Sequence, residues 1–237
     1  MEKWHRFIIG IGTVLLLLGC KADIVETSIK TKDLHNAIEG DDVTVEFEAE
    51  FSMMAEYDDE TKAQISAMEK IVENYVSLEE FDVTKGDFGL NIAIEGEIPL
   101  IYSSNGEIPR SVGSPWALVV TDNHDGGSLS SYSYKLTVAT TSKYSAFEGE
   151  LQNVNFMLSP DEFQPMRIKL KTTGDDKLRI FTGSVEVDGE SKVVYETDVS
   201  KKITLTMKGG VYDKTSQVIY FSIRQEDEMK RVSEFKL

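Results

Sequence analysis

The stretch VTVEFEAEFSM, residues 43–53, alternates between apolar and polar side chains along its whole length. One set of alternate positions comprises Val43, Val45, Phe47, Ala49, Phe51 and Met53. The other set comprises Thr44, Glu46, Glu48, Glu50 and Ser52. Successive side chains of a β-strand point to opposite faces of its sheet, so a period of two indicates a strand. The stretch therefore predicts a strand with one face in a core and the other in water.

The segments on either side of this strand predict two more strands and a helix. Ile24–Leu34 alternates in the same way and predicts a first strand, and Phe88–Ile94 predicts another. Apolar residues at spacings of three and four predict an amphipathic helix from Asp59 to Leu78, capped by Asp58 or Asp59. We interpret the apolar stripe of this helix as core packing, the alternative being a groove for a cofactor or partner.

Beyond residue 110 the sequence predicts mostly short strands. Pro and Gly residues cluster between residues 99 and 115 and predict a domain boundary near residue 110. Eight strands are predicted after it, over Trp116–Thr121, Tyr134–Thr140, Gly149–Leu158, Met166–Lys171, Leu178–Val187, Lys192–Thr197, Lys201–Met207 and Gln217–Arg224. Residues 226–237 predict either a short docking helix or a frayed tail.

The predicted fold class is α+β with predominantly antiparallel strands. Residues 1–19 are interpreted as a cleaved signal peptide, and residues 20–110 as an N-terminal sheet with one amphipathic helix. Residues 111–237 are predicted to form a β-sandwich or a barrel-like unit, because short strands separated by Asp, Gly and Ser turns are typical of those architectures.

The chain starts with the features of an export signal. Lys3 and Arg6 precede an uncharged, apolar or small run from Phe7 to Gly19. A membrane-spanning helix needs roughly 20 apolar residues, so this run is too short to cross a bilayer. We therefore expect it to be cleaved, with Cys20 standing directly after it.

Leu17-Leu18-Gly19-Cys20 resembles the lipobox of bacterial lipoproteins. The resemblance implies that the Cys20 thiol receives a diacylglycerol, that signal peptidase II cleaves between Gly19 and Cys20, and that the new amino terminus is acylated. Leu18 is larger than the residue usual at its position. In Gram-negative members of this class an Asp after the cysteine favours the inner membrane. Lys21 therefore implies sorting to the outer membrane, facing the periplasm or the cell surface.

The mature chain also resembles a family of uncharacterised lipoproteins found in bacteria and prophages. The resemblance rests on CKADI followed by a strand, on TKDL, and on a second alternating strand. It implies a role in altering the surface of a lysogenised host, for example by blocking phage entry.

The net charge of the chain limits the classes of partner that it is expected to bind. The formal net charge is −16, from 41 acidic and 25 basic residues. So acidic a chain argues against nucleic acid and against lying flat on anionic lipid. Two or three acyl chains, at about 0.8 kcal/mol per buried CH₂, would anchor it stably instead. We therefore expect a membrane contact through the acyl chains on Cys20 and a possible envelope protein partner.

The sequence offers little for catalysis. His35 and His124 are the histidines outside the signal, and an acylated Cys20 leaves no thiol free. No HExxH, CxxC, GxSxG, Walker A or GxGxxG string occurs. We therefore predict no catalytic residue, no cofactor and no metal site.

The most suggestive loop is TDNHDGGS, residues 121–128. It offers the side chains of Asp122, Asn123, His124 and Asp125. It does not fit an EF-hand, because Tyr132 stands where the bidentate Glu belongs. We interpret it as a polar hairpin loop, the alternative being a calcium site.

Two further groups of residues have alternative interpretations. We interpret Glu46, Glu48 and Glu50 as a solvated strand face rather than a cation site. The basic residues Arg167, Lys169 and Lys171 of a later predicted strand would supply cross-strand partners if that strand is a neighbour. The sequence leaves this adjacency open. The aromatic side chains near the His124 loop could line a recognition surface or pack in the core, the commoner fate: Trp116, Tyr132, Tyr134 and Tyr144.

These observations favour a lipid-anchored envelope lipoprotein that binds a partner or has a structural role and is not an enzyme. One alternative is a prophage-encoded lipoprotein that interferes with phage entry. Another is an envelope hydrolase with a carboxylate pair, since such a pair cannot be chosen among 41 acidic residues. The oligomeric state and the specific partner stay open.

Overall fold

A computed structural model describes residues 22–86, 89–155, 166–207 and 218–224. Within these ranges it contains three α-helices, α1 (Thr31–Glu39), α2 (Asp59–Tyr75) and α3 (Tyr144–Val154). The strands are β1 (Ala22–Lys30), β2 (Val43–Met53), β3 (Ser77–Gly86), β4 (Gly89–Tyr102), β5 (Trp116–Asp122), β6 (Tyr134–Thr140), β7 (Met166–Lys171), β8 (Lys177–Val187), β9 (Glu190–Val199), β10 (Lys202–Met207) and β11 (Val218–Arg224).

The strands form one sheet that closes on itself. Neighbouring strands follow the order β10-β7-β1-β2-β4-β5-β6-β11-β8-β9, with β3 paired to β4. An additional pairing of β10 with β8 closes nine of these strands into a barrel. All pairs are antiparallel except β1 with β7 and β4 with β5. The fold is therefore α+β and predominantly antiparallel, as predicted. The closed barrel takes strands from both sides of residue 110, whereas the sequence predicted a sandwich or barrel-like unit within residues 111–237.

Closure takes place at a kink in β8. Residues 178–187 of β8 pair with β9 along one edge. Along the other edge, residues 177–182 pair with β11 and residues 185–187 pair with β10. Between these two segments lies Ser184, whose φ of 50° is unusual for a residue with a side chain. The strand thus changes partner where its backbone bends.

The predicted boundary near residue 110 lies in the loop between β4 and β5. Strands from both sides of this loop are paired, β1 with β7 and β4 with β5. The division of the chain into units 20–110 and 111–237 stays a prediction.

The alternating pattern of residues 43–53 forms β2, as predicted. Val45, Phe47, Ala49 and Met53 are buried, whereas Glu46, Glu48 and Glu50 are exposed. The buried residues belong to a hydrophobic core that includes side chains from all three helices. The polar side chains lie on the outer face of the barrel.

Helix α2 begins where the sequence predicts. The Asp58 carboxylate accepts a hydrogen bond of 2.8 Å from the Thr61 backbone N–H, which caps the first turn. Ile65, Met68 and Val72 are buried in the core, so the apolar stripe packs as predicted. The helix ends at Tyr75 rather than Leu78, because Val76 is already extended and β3 follows.

The first predicted strand was too long, because residues 31–34 begin helix α1. The backbone N–H of Lys30 donates to the Asp33 carboxylate at 2.7 Å, an arrangement that starts a helix. Leu34 and Ala37 are buried on one side of the helix. Gly40 ends it with a φ of 95°, the left-handed conformation that glycine adopts without strain.

The predicted strand over Gly149–Leu158 was also wrong where the structure describes it. Residues 144–154 form α3, and residues 156–158 lie outside the described residues. Phe147 and Leu151, one helical turn apart, are buried. Phe147 packs edge-on against Trp116, with ring centroids 5.4 Å apart. This aromatic contact binds the helix to the core.

Strand β3 was not predicted. Its apolar residues are few, and Phe81 and Val83 are only half buried against the core. It pairs with β4, and Gly96 of β4 allows the close approach because a Cβ there would clash with the Ser77 carbonyl oxygen. Three other predictions fall partly or wholly outside the described residues, namely those for Phe88, for Gln217 and for the segment 226–237.

We expect replacement of Leu34 by Ala to lower the free energy of unfolding by about 2–5 kcal/mol, since the side chain is 1% exposed and its loss leaves a cavity. Lys32→Ala, on the exposed side of the same helix, is the control and should change stability by less than about 0.5 kcal/mol. Urea unfolding measures both. Equal effects of the two substitutions would show that α1 does not pack as described.

Candidate functional site

The outer surface of six neighbouring strands carries most of its charge in two opposed halves, and we call it the charged face. In the order β3, β4, β2, β1, β7 and β10, the first three strands are acidic and the last two are basic. The acidic half comprises Glu80, Asp82, Glu95, Glu97, Glu46, Glu48 and Glu50. The basic half comprises Arg167, Lys169, Lys171 and Lys202.

The strands β2 and β7, whose adjacency the sequence left open, are not neighbours, because β1 lies between them. Their glutamates and basic residues are therefore not cross-strand pairs. Glu26 of β1 is directly opposite Glu48 on one side and Arg167 on the other. Glu46, Glu48 and Glu50 are exposed, in agreement with the solvated-face interpretation. The acidic and basic halves thus meet across a single strand.

Glu26 is the buried centre of the charged face. Its side chain is only 7% exposed. One carboxylate oxygen lies 3.3 Å from Arg167 Nη1, and the other contacts Lys169 Nζ. A buried charge is tolerated only when it is paired, and here both oxygens have a cation. The carboxylate therefore holds the two basic side chains in fixed positions.

Sequence reasoning did not single out Glu26. It belongs to the polar set of β1, and nothing in its pattern distinguishes it from the exposed glutamates of β2. Its burial follows from the strand order, because β7 brings Arg167 and Lys169 against its carboxylate.

A hollow of about 390 Å³ opens above this cluster. It is lined by Glu26, Glu48, Glu50, Arg167, Lys169 and Thr204. One wall carries carboxylates and the other carries a guanidinium and an ammonium group. Such walls suit a partner that presents both charges, because each wall then finds an opposite charge.

A second, larger hollow of about 680 Å³ lies at the ends of α1, α2 and β4 and beside the loop of residues 109–114. Its lining includes the acidic residues Asp41, Asp42, Glu73 and Glu97 and no Lys or Arg. Glu97 already accepts a hydrogen bond of 2.6 Å from the Thr44 hydroxyl.

The His124 loop closes the β5–β6 hairpin, as its polar-loop interpretation predicts. Asn123 Nδ2 donates to the carbonyl oxygens of Leu129 and Tyr132 at 2.7 and 2.9 Å, so this side chain shapes the loop. Asp125 accepts from the Tyr220 hydroxyl at 2.8 Å, and His124 is exposed.

Asp122, the remaining candidate ligand of the loop, accepts a hydrogen bond from the Tyr102 hydroxyl. Within the described ranges, no three His, Cys, Asp or Glu side chains are grouped so that they could hold one metal ion.

The four aromatic side chains near this loop do not form one surface. Trp116 packs against Phe47 and Tyr144, with ring centroids 6.1 and 6.0 Å apart. Tyr134 lies 5.4 Å from the Phe221 ring, and Tyr132 belongs to a separate cluster. The packing interpretation therefore holds for these residues.

Among the tyrosines of the described residues, Tyr132 has the most strongly raised pKa. It is 4% exposed, and its hydroxyl donates to Glu196 Oε1 at 2.7 Å. Arg179 Nη2 donates to the same oxygen at 2.5 Å. Burial, together with the hydrogen bond to Glu196, raises the pKa of Tyr132 to about 12. The donors Tyr132 and Arg179 in turn lower the pKa of the Glu196 carboxyl.

The pKa values of two other carboxyl groups are also lowered. Hydrogen bonds from Thr61 lower the pKa of Asp58, and the Lys192 ammonium group lowers the pKa of Glu190. A general acid needs a carboxyl group with a raised pKa. The lowered pKa values of these three carboxyl groups are those of hydrogen-bond and ion-pair acceptors.

The residues predicted for lipidation and cleavage, Cys20 and Gly19, lie outside the described residues. Strand β1 begins at Ala22, two residues after Cys20. Among the helices that the structure describes, none has the length and apolar character required to cross a membrane.

Compared with models of protein families, with curated proteins and with solved structures, the chain matches none.

We expect stability to fall as the pH rises from 10 to 12, in part because of Tyr132. The folded protein keeps the Tyr132 proton up to a pKa of about 12, whereas in the unfolded chain this group ionises near its ordinary value of 10. The stabilisation is therefore complete below pH 10 and is lost above it. The loss should be on the order of 2 kcal/mol.

Denaturant unfolding at pH 9 to 12 tests this prediction. Tyr132→Phe should reduce the loss of stability without abolishing it, because the pKa of Tyr220 is also raised. Tyr57→Phe, at a ring that is 57% exposed, is the matched control. An unchanged pH dependence in Tyr132→Phe would contradict the prediction.

Proposed function

We propose that this chain is a lipoprotein of the bacterial envelope that is anchored through acyl chains on Cys20 and binds a partner without catalysing a reaction. The resemblance of residues 17–20 to a lipobox supports the anchor. The start of β1 at Ala22 is compatible with it, because this strand begins two residues after the cysteine that would carry the lipid.

The observation that carries the binding function is the hollow above Glu26. Arg167 and Lys169 are held by the buried carboxylate before any partner arrives, so little side-chain freedom is lost on binding. Glu48 and Glu50 stand exposed on the opposite wall. A site with fixed cations and accessible carboxylates selects a partner by the pattern of its charges.

The place of action follows from the proposed anchor. With Lys21 after the cysteine, we propose the outer membrane rather than the inner membrane, with the folded chain facing the periplasm or the cell surface. The partner that we propose is an envelope component.

Replacement of Cys20 by Ser should release the protein from membranes, because it removes the atom that carries the diacylglycerol. Fractionation and intact mass measurement check this: the wild-type mass should correspond to an acylated chain that starts at Cys20. A wild-type protein that retains Met1 without a lipid, or a Cys20→Ser protein that fractionates like wild type, would refute the anchor.

A photoreactive residue placed at Thr204, in the wall of the hollow, should crosslink the partner in intact cells. The same residue at Val193 is the control, since Val193 is 83% exposed and does not line the hollow. The adduct should be lost in Glu48→Lys/Glu50→Lys and kept in Glu39→Lys/Glu107→Lys, which changes the net charge equally at exposed positions elsewhere.

Identification of the adduct by mass spectrometry separates the candidate roles. An envelope component supports the proposed function, whereas a phage receptor would direct the proposal to interference with phage entry. An adduct that persists in Glu48→Lys/Glu50→Lys would show that the hollow is not the binding site.

A further inference from the structure

Three lysines lie side by side at one end of the charged face, and we call them the lysine row. Lys30 of β1 is directly opposite Lys171 of β7, and Lys171 is directly opposite Lys202 of β10. All three occupy the outer positions of their strands, where Lys30 and Lys202 are exposed and Lys171 is half buried. The row therefore runs across three adjacent strands.

Repulsion among the lysines of the row lowers the stability of the isolated protein. Like charges directly opposite each other on neighbouring strands repel, and the row contains two such pairs. Among the described residues, no carboxylate lies within ion-pair distance of Lys30, Lys171 or Lys202. Burial, and then the charges of Lys202 and Lys171, lower the pKa of the adjacent Lys169.

The row differs from the paired cations of the described residues. Six Lys and Arg side chains there have carboxylate partners: Lys62, Lys135, Arg167, Lys169, Arg179 and Lys192. In a chain with 41 acidic and 25 basic residues, a carboxylate opposite Lys171 would be the expected neighbour. Three adjacent lysines without one concentrate positive charge at this end of the charged face.

The surroundings of the row carry charges of both signs, and the Asp176 carboxylate accepts a hydrogen bond from the Thr31 hydroxyl next to Lys30. Helix α1 begins directly after Lys30, and the start of a helix carries a partial positive charge. Lys32 in its first turn is exposed. Ser28, two residues before Lys30 on the same face, has a buried hydroxyl without a hydrogen-bond partner among the described residues. Asp33 is engaged with the Lys30 backbone N–H.

We propose that the lysine row binds a phosphate-bearing polymer of the envelope. Lysine ammonium groups are compact charges that bind phosphate oxygens well. At roughly 4.8 Å between strands, the row is about 10 Å long, which is wider than one phosphate group and fits a partner with several. The row is a second site, separate from the hollow above Glu26, and only its placement in the envelope rests on the anchor proposed above.

The place of the row favours a polymer over the lipid that holds the anchor. Lys30 is the last residue of β1 and Ala22 is the first, so the row lies about 26 Å along the strand from the anchored end. The row is thus kept away from the headgroups next to Cys20. A polymer that extends from the envelope can reach it.

The acidic half of a second copy is the competing partner. It would bring two outer barrel surfaces together, and two convex surfaces touch over a small area. A flexible chain of phosphates adapts to a narrow row without this constraint. The net charge of −16 repels any polyanion at long range, but the Debye length at 0.15 M salt is about 8 Å, so the nearest charges decide.

The test measures binding of sodium polyphosphate to the full-length protein in neutral detergent at 0.15 M salt. Lys30→Gln/Lys171→Gln/Lys202→Gln should weaken binding at least about tenfold. Lys62→Gln/Lys70→Gln/Lys143→Gln, which removes the same charge from exposed lysines elsewhere, should weaken it less than about twofold. Thermal unfolding of the row variant should occur at an equal or higher temperature, because repulsion is relieved, so lost binding would not reflect unfolding.

Three results with polyphosphate or in sedimentation, and a fourth with phospholipid vesicles, would overturn the proposal. The first is wild-type protein that does not bind polyphosphate, and the second is a row variant that binds like its control. The third is a row variant that loses self-association in sedimentation instead, which would assign the row to a second copy. Vesicles of anionic phospholipid form a separate arm, and stronger binding to them than to polyphosphate would also overturn it. If polyphosphate does not bind but the photoreactive residue at Thr204 still crosslinks a partner, the lysine-row proposal fails and the proposed binding function is unaffected.

Discussion

Closure of the sheet at β8 is the constraint on which the rest of the structure depends. By pairing with β11 before Ser184 and with β10 after it, β8 turns an open sheet into a ring of nine strands. Once the ring is closed, every alternating strand has an inside and an outside. The apolar side chains of β2 then lie inside the barrel, and its glutamates lie on the outer surface with the charged side chains of the neighbouring strands.

The charged face is a product of strand order as much as of composition. The acidic strands and the basic strands are far apart in the sequence, and β1 brings them together by pairing with β2 on one side and β7 on the other. This placement forces a glutamate of β1 into the interior of a salt-bridge cluster and leaves three lysines adjacent at the end of the strand. Glu26 is thus paired with cations of opposite charge, whereas the three adjacent lysines nearby have no carboxylate partner among the described residues.

The sequence predicted those elements whose local pattern and tertiary role agree. Strand β2 and the start of α2 are such cases, because a period of two and a cap at Asp58 are signals carried within a few residues. Helix α3 was missed because its burial depends on Phe147 meeting Trp116 from a distant strand. Helix α1 was missed although Asp33 and Gly40 mark its ends, since the alternation of β1 continues into its first residues. The site could be predicted only as separate acidic and basic strands, because no residue of β1 reveals its neighbours.

The parallel pairing of β1 with β7 also sets how the molecule carries a load. A pull on Ala22 runs along the axis of β1, and the hydrogen bonds of β1 to β2 and β7 run across that axis. Such a force shears many bonds at once and cannot peel them away one after another. A strand held on both sides would therefore transmit a pull from the anchor proposed at Cys20 to the barrel through the hydrogen bonds along the whole length of β1.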